Sequence, residues 1–268
     1  MKIIVVPTDF SDVARCALHS AAQLANHFGA RIHLVHFYQV HSRAGMLMSI
    51  RNFMQRAAEE NLAVEVAAVR TDLKERTSLV TRALEAGVID GIVAYAGALH
   101  ADLIVMGTQG ANRFPDIFLG TMATATIRRS SLPVLVVPPQ WTYRPPTRLG
   151  LAVENQVKYE TDQHTTLNAL AAAYQGQVEL LHVDAPGRPA AVLDPAYEIV
   201  LGQYLHRTHR LAEADLHRGL QQMVEEPGID LLVMIRRQRS FLERLFQGSR
   251  TLREVFSSSV PLLILPEA

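Results

Sequence analysis

Short apolar, β-branched runs alternate along the first half of the chain with longer segments whose apolar residues recur at intervals of three and four. Lys2 to Val6, Arg31 to Phe37, Leu103 to Met106 and Val134 to Val137 lack polar alternation, as expected of parallel strands covered on both faces. Between the first two runs, Val13, Ala17, Leu18, Ala21, Leu24, Ala25 and Phe28 share one helical face. Ser11 can cap that helix and Gly29 can close it. From about Met46 to Glu75 the pattern predicts one long amphipathic helix, then a strand near Leu79 to Leu84 ending at Gly87, then a helix from Val88 to Leu99. A strand at Val64 to Val69 is the competing reading, because that segment alternates and is rich in valine. Strands separated by helices imply a parallel sheet with right-handed crossovers, hence a doubly wound α/β sandwich.

The chain also repeats itself. Shifted by 128 residues, Ala101 to Pro138 lies over Ile229 to Pro266 without a gap, so that DLIVMG meets DLLVMI, LGT meets QGS and LPVLVVP meets VPLLILP. Asp102 meets Asp230 and Gly120 meets Gly248 in that frame. A weaker echo at an offset of 146 pairs HLVHF, from 33 to 37, with ELLHV, from 179 to 183. Two related halves therefore follow one another, with insertions or deletions between the early and late motifs. The segment PPQWTYRPPT, from 138 to 147, carries four prolines and reads as a stiff extended connector, which sets the expected domains at 1–140 and 147–268.

Composition narrows the function classes. Hydrophobic residues make up 49% and charged residues 19% of 268 positions, ordinary for a chain that buries a core. Twenty-six basic residues balance twenty-six acidic ones, so no global field favours nucleic acid or an anionic membrane. The one cysteine, Cys16, forbids an intrachain disulfide and a multi-cysteine metal site and fits a reducing compartment. The N-terminus turns polar too soon for a signal peptide, and no apolar run approaches a membrane span, so the expected location is cytoplasmic.

The candidate chemistry lies after the strand DLIVM. The segment GTQGANRFPDIFLGT carries glycines at 107, 110 and 120, followed by Thr121. Glycines at a strand end let backbone N–H groups approach an anion closely. A helix from Thr121 to Arg129 would then turn its positive end toward that anion. Ligands of doubly wound sheets bind beyond the carboxyl ends of the strands, where this loop falls.

The spacing Gly-x2-Gly-x9-Gly-[Ser/Thr] resembles the ATP-binding motif of the universal stress protein family. PTDFS, from 7 to 11, is similar to that family's first strand end, LVHF to its second, and VLVVP to its last strand. The resemblance implies two tandem adenine nucleotide α-hydrolase-like (Rossmann-like) domains. It places adenine and ribose contacts on Pro7, Thr8, Asp9, Phe37 and Met106, and phosphate contacts on Gly107, Gly110, Gly120, Thr121 and the backbone of Met122. A carboxylate such as Asp9 can accept from ribose hydroxyls, and Phe37 and Met106 offer apolar surface to a base. Capping of the following helix by Asp9 and plain core packing of Phe37 and Met106 stay open as alternatives. ATP, with magnesium as an accompanying ion, is the implied cofactor. Family members commonly pair through the last strand, Val134 to Val137 here, so pairing of the two halves is expected, with a further homodimer optional.

The second half departs from the motif: Ile235 stands for Gly107, Gln238 for Gly110 and Glu154 for Asp9. Its arginine-rich segment RRQRSFLERLFQGSR, from 236 to 250, reads as a solvated loop, and ATP is not assigned there. No nucleophile, base or metal constellation has the spacing of a known catalytic motif, and no metal site is assigned. His33 and His36 face opposite sides of one strand, which argues against a shared zinc ion. A nucleotide-responsive module in stress is the leading expectation, with a weak ATPase and a ligand-free scaffold as alternatives.

Overall fold

A computed structural model describes residues 1–40, 47–108, 120–139, 141–153, 165–184, 197, 201–212, 228–236 and 260–266. The described residues up to Tyr143 belong to one compact unit and those from Arg144 to a second.

The first unit contains the strands β1 (Ile3–Pro7), β2 (Arg31–Tyr38), β3 (Ser78–Glu85), β4 (Leu103–Gly107) and β5 (Val134–Val137). They lie side by side in the order β3-β2-β1-β4-β5, every described pairing parallel. The helices are α1 (Asp12–Phe28), α2 (Leu47–Val69), α3 (Val88–Ala98) and α4 (Thr121–Arg129). α1 packs on β1, β2, β4 and β5, and α2 on β2 and β3. α3 and α4 take the other face. Val5 pairs with both His33 and Ile104, so those side chains share one face, and the His33 ring lies against Tyr95 of α3. β1, β4 and β5 are buried almost throughout, which explains their unbroken apolar runs.

Local signals fix the helix ends. The Ser11 hydroxyl accepts from Ala14 N at 3.2 Å, and Gly29 closes α1 with φ of 64°. The long helix expected to reach Glu75 ends instead at Val69 and passes into one 3-10 turn over Arg70–Asp72. The competing strand at 64–69 does not form. Ala58, Leu62, Glu65 and Val69 are the buried positions there, a helical spacing. Glu65 is carried inward by that spacing and is neutralised by Arg15 Nε at 2.9 Å from α1.

The second unit holds β6 (Arg148–Ala152), β7 (Gln177–Asp184), β8 (Leu205–Ala212), β9 (Leu231–Ile235) and β10 (Leu262–Leu265), with α5 (Thr165–Tyr174) between β6 and β7. Read from β8, the order is β8-β7-β6-β9-β10, again parallel. The same interactions recur in the two units. Asp102 Oδ2 accepts from the main-chain N–H groups of Lys2 and Ile3 at 2.6 and 2.8 Å. Asp230 Oδ2 accepts from those of Thr147 and Arg148 at 3.1 and 2.9 Å. At the opposite strand end, His36 Nδ1 donates to Thr8 C=O at 2.8 Å, and His182 Nδ1 to Val153 C=O at 3.0 Å.

Asp102→Ala, which leaves two strand-end amides without their acceptor, should lower stability by about 1–2 kcal/mol, read as a shift of the urea unfolding midpoint. His33 supplies a pH test. Burial, then the charges of Arg31 and Arg82, hold its pKa below the ordinary histidine value, and its Nδ1 lies 3.0 Å from Tyr95 Oη. The folded state therefore binds its proton less readily than the unfolded state does. Its contribution should be complete above about pH 6.5 and decline as pH falls below that value toward the folded pKa. His33→Phe should flatten this part of the stability profile, measured by thermal unfolding from pH 7.5 to 5.

Candidate functional site

The turn after β1 is held by its own polar groups. Thr8 Oγ1 accepts from Phe10 N at 3.0 Å, and Asp9 Oδ1 accepts from Ser11 N at 3.1 Å. Phe10 sits in the left-handed region, with φ of 65°, unusual for a residue with a side chain. Its ring stacks on His36 at 4.4 Å, the same histidine that donates to Thr8 C=O. These contacts set the direction of Asp9, which is exposed at the strand end. Ser11 caps α1, and Asp9 does not.

The other candidates gather around this turn on one face of the sheet. Pro7 pairs with Val35, and residues 33, 35 and 37 of β2 point to the α3–α4 face. Met106 has the same parity as Ile104 and points there too. Phe37 and Met106 are each 6% exposed. Phe37 lies edge-on to Tyr95 and covers Gly91 of α3, where an added Cβ would come within 2.5 Å of its ring. Packing therefore accounts for most of the Phe37 surface, with little left for a base.

Gly107 faces the opposite way. A Cβ there would meet Val13 Cγ1 at 2.6 Å and the Val13 carbonyl oxygen at 3.1 Å, so its missing side chain lets α1 approach β4. Close packing thus gives Gly107 a reason that the phosphate-cradle reading did not contain. Gly110 lies outside the described residues. Where the chain re-enters, Gly120 N donates to Thr108 C=O at 2.7 Å, and Thr108 N donates to Val137 C=O at 3.0 Å. One residue thereby ties the start of α4 to the carboxyl ends of β4 and β5.

Gly120 is the N-cap of α4 and makes no side-chain cap bond, and no acidic residue lies in the first turn. α1, by contrast, has the Ser11 cap and Asp12, and α3 has Asp90. Among the described residues the α4 start thus has no side-chain cap and no acidic residue in its first turn, with Thr121 exposed and Met122 half-buried. Such an end favours an anion. In the second unit Ile235 stands at the position of Gly107 and is buried, while Glu154, Gln238, Gly248, Ser249 and most of the arginine-rich segment lie outside the described residues. His36 and Phe10 were not singled out from the sequence as site residues. The clue was the shared histidine of LVHF and ELLHV.

Fold and site together define a doubly wound α/β protein whose first unit gathers anion-compatible groups at the sheet's carboxyl edge. The model of the universal stress protein family matches residues 1–138. A universal stress protein of Methanocaldococcus jannaschii is 33% identical over 142 residues, covering 51% of this chain and 81% of that protein. One from Thermus aquaticus is 31% identical over 140 residues, covering 51% of this chain and 98% of its own length. The crystal structure of a universal stress protein from Archaeoglobus fulgidus matches 99% of this chain and 96% of its own, with a TM-score of 0.74 and 18% identity, so the fold is shared. The chain belongs to the universal stress protein family. Among the described residues no helix is long and apolar enough to cross a membrane.

If Gly107 is glycine because α1 needs the space, Gly107→Ala should destabilise the protein by about 1–3 kcal/mol. The penalty should shrink in a Val13→Ala background. A double-mutant cycle by urea unfolding measures the coupling, and strict additivity would reject the packing account.

Proposed function

We propose that the first unit binds an adenine nucleotide, ATP foremost, and that occupancy of this site makes the protein a nucleotide-responsive module in stress. The observation that carries the reading is the convergence of separate chain segments. Pro7 ends β1 with Thr8 and Asp9 just past it, Met106 lies one residue before the end of β4 on the α3–α4 face, and Gly120 at the start of α4, which has no side-chain cap, bonds to Thr108 just past β4. Phosphates would lie against the N–H groups at Gly120, Thr121 and Met122. Gly107 and Gly110 would contribute main-chain donors, as the motif implies. Asp9 has the chemistry to accept from ribose hydroxyls.

Among the described residues there is no group of three His, Cys, Asp or Glu side chains able to hold a metal ion. Magnesium, in this reading, arrives with the nucleotide and is held chiefly by its phosphates. In the second unit the isoleucine at the Gly107 position and the changed loop sequence support assigning no ATP there.

The test is the identity and stoichiometry of nucleotide released on denaturing purified protein, followed by calorimetric titration with ATP and magnesium. About one ATP per chain is expected, and Gly110→Arg should abolish binding without unfolding the protein. Two ATP per chain would overturn the assignment of an empty second unit. Recovery of ADP in place of ATP would favour the ATPase alternative. Absence of both released nucleotide and titration heat would refute the proposal.

A further inference from the structure

We propose that Thr108 is a further ligand-binding residue of this site, its hydroxyl donating a hydrogen bond to an anionic oxygen of the phosphate group held at the start of α4. The inference rests on the nucleotide reading above and adds a side-chain donor to a cradle otherwise made of main-chain amides.

Three observations meet at this residue. Thr108 is 1% exposed, and its Oγ1 has no hydrogen-bond partner, although both main-chain groups of the same residue are bonded. A buried hydroxyl in that state is rare and costly, because it has given up water and received nothing in return. Its direction follows from its neighbour. Gly107 points its absent Cβ at Val13 of α1, and Thr108 continues the ladder by donating to Val137 C=O, so its side chain turns to the α3–α4 face with Met106. Its position is the third. Thr108 C=O accepts the N–H of Gly120, the residue that caps α4 without a side-chain bond. An unspent donor therefore sits one hydrogen bond from a positive helix end that no described side chain caps, and an anionic oxygen there satisfies both.

Valine is close to threonine in shape and would leave no unpaired oxygen here. Thr126 supplies an internal control, being fully buried on α4 with an Oγ1 that also lacks a partner, but lying beyond the helix's first turn.

The experiment compares wild type, Thr108→Val, Thr108→Ser and Thr126→Val by calorimetric titration with ATP and magnesium and by thermal unfolding without ligand. Thr108→Val should weaken ATP binding about tenfold or more, the ratio given by losing a hydrogen bond to a charged group of about 1.5 kcal/mol. Its ligand-free unfolding temperature should equal or exceed that of wild type. Thr108→Ser should recover most of the affinity, and Thr126→Val should leave it unchanged. Wild-type affinity in Thr108→Val overturns the inference while leaving the nucleotide reading intact. So does a lowered ligand-free unfolding temperature, which would mean that the hydroxyl serves the fold, and so does an equal loss in Thr126→Val. A wild type that binds no ATP overturns both.

Discussion

Parallel strands buried on both faces satisfy their interior backbone groups through the ladder, but their ends need other partners, and in both units those partners are the same. A carboxylate entering β4 or β9, Asp102 or Asp230, receives two main-chain amides at the start of the central strand. A histidine near the end of β2 or β7 donates to the carbonyl just past that strand's other end. The central strand is thus fixed at both ends by side chains from its two neighbours. Its register decides which residues of the sheet share a face, and the candidate site is a consequence of that register.

The histidine tie shows how fold and site are separated. Since His182 makes the same bond in the second unit, where the loop motif is lost, the bond belongs to the architecture. In the first unit Phe10 is added, held in a left-handed conformation and stacked on His36. The turn is therefore secured from the α1–α2 side, while the face toward α4 carries Pro7 and Met106 and the uncapped helix start. Contacts behind a turn hold its exposed side in one conformation.

Much of this was legible along the chain. The four strands read from unbroken apolar runs form within a residue of their expected ends, and α4 spans Thr121–Arg129 as the pattern indicated. Parallel strands are continuous in hydrophobicity because both faces are covered, and that signal is local. The valine-rich alternation at 64–69 kept a strand open beside the favoured helix for the same local reason, since alternation cannot show that Glu65 turns inward to meet Arg15, a residue fifty positions away. Gly107 read only as a phosphate glycine because loop residues follow it in sequence, and its neighbour in space, Val13, adds close packing as a second reason for a glycine there.

The sequence by itself determined the elements, their alternation, the internal repeat and the glycine and hydroxyl spacing that marks the loop, all properties of periodicity and of residues close together in the chain. Only the tertiary structure decided that Ser11 and not Asp9 caps α1, that Phe37 is largely occupied by α3, and that Thr108 holds a buried hydroxyl without a partner beside an uncapped helix end. The face a side chain occupies, and whether its polar atoms find partners, depend on register between strands that lie tens of residues apart, and no local pattern encodes that register.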